Sequence, residues 1–116
     1  MGRLTTHVLD TANGKPAAGI LIELHRRADG EWRIVMTVTA NADGRADGPL
    51  LEGDALLAGE YRLTFHVGDY FAARGSADAG AFLDRVPVDF IIGDVSTHYH
   101  VPLLCSPWAY STYRGS

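Results

Sequence analysis

A period-two alternation of apolar and polar residues, broken at short intervals by turn formers, constrains this chain more than any other feature. Successive side chains of a strand point to opposite faces, so the pattern suits half-buried strands. In Leu4–Asp10, Leu4, Thr6 and Val8 share one face while Thr5, His7 and Leu9 share the other. Ile20, Ile22 and Leu24 oppose Leu21, Glu23 and His25. Trp32, Ile34, Met36 and Val38 oppose Arg33, Val35, Thr37 and Thr39. Tyr61, Leu63, Phe65 and Val67 oppose Arg62, Thr64 and His66; Val86, Val88, Phe90 and Ile92 oppose Pro87, Asp89 and Ile91. Asn13-Gly14, Asp29-Gly30 and Asn41-Ala42-Asp43-Gly44 supply turns between the runs. Two further strands are expected over Thr97–Cys105 and Trp108–Arg114. Only Asp69–Ala77 reads as helix, stopping near Gly75. Roughly seven or eight short strands with turns between them imply an all-β sandwich.

The other bounds follow quickly. A chain of 116 residues is expected to form a single domain, 1–116, large enough for a real core. The formal net charge is −4 and no Lys/Arg cluster occurs, which argues against nucleic acid as a partner. No apolar run approaches the roughly 20 residues of a membrane span. Cys105 is the only cysteine, so no intrachain disulfide can form. The first residues lack a signal-like apolar run, and the expected location is the cytoplasm. Cys105, Trp32, Phe65 and Phe90 read as core; Trp108 and Tyr110 read as strand or interface residues. Pro102, which offers no N–H, argues for an edge position or a local bulge in its strand.

Chemistry concentrates late in the chain. His98 and His100, two residues apart, share a face with Pro102 and Leu104, leaving Tyr99, Val101, Leu103 and Cys105 for the core. His7 adds a third imidazole on the polar face of the first strand, and Arg45 follows a turn. Each alone is weak evidence, since a lone strand histidine is more often structural. A His-x-His pair with His7 is also a plausible zinc set. No acidic or Cys residue lies near enough in sequence to complete it, and Arg45 and Arg114 would repel a cation. His25 and His66 read as outer-face residues without a role. The chain closes on Tyr113-Arg114-Gly115-Ser116, functional groups in place of a frayed polar tail.

Four segments together carry a resemblance. They are Leu4-Thr5-Thr6-His7-Val8-Leu9-Asp10, Asn41-Ala42-Asp43-Gly44-Arg45, His98-Tyr99-His100-Val101-Pro102-Leu103-Leu104, and Ser106 through Tyr113-Arg114-Gly115-Ser116. In order and spacing they resemble the transthyretin-related 5-hydroxyisourate hydrolases over essentially the whole chain. The terminal Tyr-Arg-Gly-Ser resembles the enzyme branch and is absent from the hormone-carrier branch.

The resemblance implies a transthyretin-like sandwich of two four-stranded antiparallel sheets with one short helix. It implies a homotetramer, a dimer of dimers, with active sites in a channel at the subunit interface. The implied reaction is hydrolytic ring opening of 5-hydroxyisourate, without cofactor or metal. Carried over by position, His7, Arg45, His100 and Ser116 are the expected catalytic residues. Tyr113, Arg114, His98 and Gly115 are expected to bind or shape the substrate, with His98 at the margin. Arg groups suit a flat, carbonyl-rich ring and a developing oxyanion. Imidazoles suit proton transfer to and from water and the leaving nitrogen near neutral pH. The alternative reading is a non-catalytic carrier of a small aromatic ligand in the same channel. Others are a metal-dependent hydrolase and a purely structural domain.

Overall fold

The computed structural model describes residues 1–116. The strands are β1 (Arg3–Asp10), β2 (Lys15–Pro16), β3 (Leu21–Ala28), β4 (Glu31–Thr39), β5 (Leu51–Glu52), β6 (Gly59–His66), β7 (Arg85–Ile92), β8 (His98–Cys105) and β9 (Tyr110–Thr112). One helix, α1 (Val67–Ala73), follows β6 directly, two residues earlier than its composition suggests. The two layers are ordered β2-β1-β8-β9, with β5 also on β1, and β4-β3-β6-β7. The sandwich is thus as expected, and the second sheet is antiparallel throughout. In the first sheet β1 and β8 run parallel, with Thr5 opposite His100 and His7 opposite Pro102. These strands come from opposite ends of the chain, so no hairpin dictates their direction.

The alternation sorts the faces. Leu4 and Val8 from β1, Ile22 and Leu24 from β3, Leu63 and Phe65 from β6, and Leu103 from β8 are buried between the layers. Thr6 is buried with them and donates its hydroxyl proton to the Val101 carbonyl (2.7 Å). Asp10 is 1 % exposed, and its carboxylate accepts from Tyr70 Oη, Asn13 N and Asn13 Nδ2, tying α1 and the first turn to the end of β1. Cys105 is buried at the end of β8, where burial pushes its thiol pKa up to about 12.

One run breaks its own pattern. Leu24 pairs with Met36 but His25 pairs with Ile34, so Val35 is an extra residue in β4. The bulge puts the residues before it on the opposite face from the one the unbroken alternation gives them. Met36 and Val38 stay against the core, whereas Ile34 is exposed and Trp32 lies on the outer face. There the guanidinium groups of Arg62 and Arg27 lie 4.4 and 5.6 Å from the Trp32 ring centroid. Trp32 is therefore not a core residue, although Phe65 is and Phe90 packs against the core. His66 is buried at the junction with α1, where its Nε2 meets Glu23 Oε1 at 2.5 Å.

Pro102 lies in an interior strand, and the irregularity it calls for appears in its neighbour. The Gly115 N–H donates to the His100 carbonyl (2.8 Å), so His100, Pro102 and Leu104 turn their backbone groups toward the C-terminal segment. Pro102 has no N–H to offer there. The regular ladder ends at the Leu103–Thr112 pair, and Thr112 Oγ1 donates to the Pro102 carbonyl (2.7 Å). The last strand is accordingly only Tyr110–Thr112, shorter than the apolar run suggests. Residues Tyr113 and Arg114 leave the sheet, and an isolated bridge at Gly115 brings the chain back onto His100.

Candidate active site

Strand alternation puts Thr5 and His7 of β1 and His98 and His100 of β8 on the outer face of the first sheet. The parallel register brings them side by side. His100 is half-buried and points away from the sandwich interior, while Tyr99, Val101, Leu103 and Cys105 are buried within it. Thr5 Oγ1 lies 2.8 Å from His98 Nε2 and 2.7 Å from His100 Nδ1. One hydroxyl thus joins the two imidazoles, whose ring centroids are 6.2 Å apart.

Arg45 arrives from the loop before β5. Asn41 Oδ1 accepts from the backbone N–H groups of Asp43 and Arg45, and the Asn41 N–H donates to the Arg45 carbonyl. Gly44 sits at φ +75°, and a Cβ there would lie 2.4 Å from the Val8 carbonyl oxygen. Only glycine allows that approach, which lets the Gly44 carbonyl accept from Val8 N–H (2.8 Å) and pairs Arg45 with His7. The turn chemistry of Asn41–Gly44 is thus what delivers the guanidinium to the imidazoles.

The tail completes the arrangement. A Cβ on Gly115 would lie 2.5 Å from His100 Cδ2, so the glycine is needed for contact with the ring as well as for chain freedom. Arg3, Thr5, Arg45, His98, His100 and Ser116 line one open cleft of about 430 Å³. That is within the size range of small-molecule sites. Tyr113 and Arg114 are not brought into it. The Arg114 guanidinium stacks on Tyr99, 4.3 Å from the ring centroid, and donates to the His98 carbonyl (3.3 Å). Both residues line a separate, more apolar cleft beside Val88, Phe90 and Val101 at the sandwich edge.

The electrostatics favour neutral imidazoles. Burial lowers the His100 pKa below its ordinary 6.5, and the positive charges on Arg45, His98 and His7 lower it further. His7 is lowered by burial and by Arg45, partly offset by a hydrogen bond to the Asp43 carbonyl and by the Asp43 charge. A neutral imidazole beside a fixed guanidinium can accept a proton while the cation stabilises developing negative charge. No three His, Cys, Asp or Glu side chains converge as a metal-ligand set.

A family model described as HIUase/Transthyretin matches residues 4–115. The chain belongs to the HIUase/Transthyretin family. Within the HIUase/Transthyretin family, it is 55 % identical to 5-hydroxyisourate hydrolase 2 of Rhizobium meliloti, over 99 % of this chain and 97 % of the relative. The structure of Klebsiella pneumoniae 5-hydroxyisourate hydrolase superposes with TM-score 0.80 at 38 % identity, covering 100 % of both chains. The crystal structure of (S)-allantoin synthase superposes with TM-score 0.93 at 49 % identity; it covers 99 % of this chain, which spans 44 % of that longer one.

Two residues lining this cleft escape a reading of the sequence. Thr5 and Arg3 look like ordinary outer-face strand residues. Only the parallel β1–β8 pairing, which no local pattern encodes, sets Thr5 against His98 and His100.

Proposed function

We propose that this chain, acting as one domain over residues 1–116, is a 5-hydroxyisourate hydrolase. Water opens the six-membered ring at an amide-type C–N bond, giving 2-oxo-4-hydroxy-4-carboxy-5-ureidoimidazoline. The observation that carries the reading is the meeting of Arg45, His98, His100 and Ser116 in one cleft, with His7 beside it on β1. Its support is the near full-length identity to a hydrolase of that name. A carrier of an aromatic ligand calls for apolar lining residues, and most residues lining this cleft are polar or charged.

In this mechanism an imidazole of the His7/His100 pair takes a proton from the attacking water. The lowered pKa values keep that base neutral near pH 7. Arg45 stabilises the oxyanion at the attacked carbonyl, and the departing nitrogen is protonated by an imidazole. Ser116 positions water or substrate, and Gly115 holds it there by lying flat on His100. Tyr113 and Arg114 complete substrate binding from the rim, where movement or a neighbouring subunit closes the distance. No metal or cofactor enters.

On the same reading the protein is a cytoplasmic homotetramer, a dimer of dimers, with the cleft opening on the channel between subunits. The unpaired outer edges of β7 and β9 and the exposed Ile91, Trp108, Tyr110 and Tyr113 support assembly. The single buried cysteine suits a reducing compartment.

The test is to generate 5-hydroxyisourate freshly with urate oxidase and follow its ultraviolet absorbance with and without the protein, each with and without chelator. The expected outcome is faster decay than the spontaneous rate, insensitive to chelator. Decay at the spontaneous rate would overturn the activity, and loss of acceleration with chelator would overturn the metal-free mechanism.

A further inference from the structure

The Thr5 hydroxyl stands within hydrogen-bond distance of two imidazole nitrogens, and it has one proton to give. If His98 Nε2 and His100 Nδ1 both lacked protons, one of the two close contacts would set lone pair against lone pair. If both carried protons, the hydroxyl hydrogen would lose its place between them. Two arrangements satisfy every group. In the first, His100 Nδ1–H donates to Thr5, Thr5 donates to His98 Nε2, and His100 Nε2 keeps its lone pair. In the second, His98 Nε2–H donates to Thr5, Thr5 donates to His100 Nδ1, and His100 carries its proton on Nε2.

From this geometry we infer that Thr5 is a positioning residue that makes His100 and His98 a proton relay. His100 Nε2 takes the proton from water. The Nδ1 proton moves to Thr5 Oγ1, and the hydroxyl proton moves to His98 Nε2. His100 ends neutral with its proton on Nε2, His98 ends as the imidazolium, and the hydroxyl is regenerated. No heavy-atom bond is broken in the relay and every proton is accounted for. The return path delivers the proton from His100 Nε2 to the departing nitrogen.

The surroundings favour moving the charge outward. Arg45 faces the pair from the loop, Arg3 and His7 from β1, and Ser116 from the tail adds no titrating side chain. A cation resting on His100 would sit among Arg45 and His7, whose charges already act on that ring. His98 belongs to the margin, where it also borders a second open cleft beside Met1 and Glu52. Solvent reaches it there.

The inference rests on the hydrolase reading for its purpose, but its decisive readout does not need activity. The imidazole ¹⁵N resonances of the full-length protein are followed through a pH titration for wild type, Thr5→Val and Thr5→Ser. In wild type, as His98 takes up its proton, His100 Nδ1 passes from the protonated to the unprotonated range and Nε2 does the reverse. Thr5→Val, nearly isosteric, abolishes the exchange and leaves His100 in one tautomer; Thr5→Ser restores it. With 5-hydroxyisourate, Thr5→Val lowers kcat/KM roughly 10-fold and shifts the acid limb of its pH profile, as expected for one lost orienting hydrogen bond. Thr5→Ser stays near wild type. A His100 tautomer that ignores the charge on His98 in wild type overturns the relay, even if Thr5→Val does not fold. The same exchange persisting in Thr5→Val also overturns it. Tautomer exchange without any hydrolysis overturns the hydrolase reading and leaves the relay standing.

Discussion

Replacing Gly115 by alanine adds a methyl group against an occupied position. Its Cβ would lie 2.5 Å from His100 Cδ2 and 3.2 Å from Cγ. Carbon atoms rest at about 3.5–4.0 Å, so ring and tail must separate by roughly 1 Å. If the ring yields, it leaves its rotamer well at about 0.5–1.5 kcal/mol. It also stretches the 2.7 Å contact with Thr5, whose loss costs about 0.5–1.5 kcal/mol. If the tail yields, the Gly115 N–H to His100 carbonyl bond breaks and Ser116 moves out of the cleft. Either route displaces a group of the proposed active site by about 1 Å, and on that proposal the expected cost is on the order of 100-fold in rate. The change in unfolding free energy should stay within about 1–3 kcal/mol, because the altered residue belongs to a peripheral segment. The assay pairs kcat/KM on freshly made 5-hydroxyisourate with a urea unfolding curve of the same preparation. A folded Gly115→Ala protein within about threefold of wild-type kcat/KM would refute the claim that this contact places His100.

Two other outcomes follow from the same structure. The folded pKa values of His7 and His100 lie below 6.5, so the unfolded chain binds protons first as pH falls. Their contribution is complete above about pH 6.5 and is lost as pH drops through the folded values. Urea midpoints should fall between about pH 7 and 5, less steeply in His100→Asn than in wild type, and parallel slopes would contradict this. The carboxylates Asp10 and Glu23, depressed from 3.8 and 4.5, act at lower pH and do not confuse the window. Tyr70→Phe removes the hydroxyl that donates to buried Asp10 at 2.8 Å. It should lose about 1.5–3 kcal/mol in urea unfolding, and an unchanged midpoint would mean that Asn13 satisfies the carboxylate by itself.

Local patterns made most of the sandwich legible. Leu4, Ile22, Leu63 and Val86 each announce a buried face through their own neighbours, two residues away on either side. The failures occur where structure depends on something distant. Trp32 continues an unbroken alternation, yet the extra Val35 in β4 turns it outward, and nothing in the run reports a bulge. Pro102 signals an irregularity, but its consequence falls on Tyr113 and Arg114, eleven and twelve residues on, by way of a missing donor. In the candidate site, His98, His100, Arg45 and Ser116 were recognisable by residue type and motif. Thr5 was not, because a threonine on the polar face of a strand has no distinguishing neighbours until β8 is laid against it. Arg114, expected among the site groups, rests on Tyr99 because the break after Thr112 turns it toward the sandwich edge.

The missing N–H of Pro102 also separates two parts of the chain that are held in different ways. Strands β1 and β8 pair over their full length, Arg3 with His98 through Asp10 with Cys105, and this pairing belongs to folding. The last four residues hold to the sheet mainly by one backbone bond at Gly115 and side-chain contacts of Arg114. A substitution at Tyr113 or Ser116 therefore leaves the ladder that builds the core untouched. The tail can change or shift while the sandwich beneath it keeps its stability.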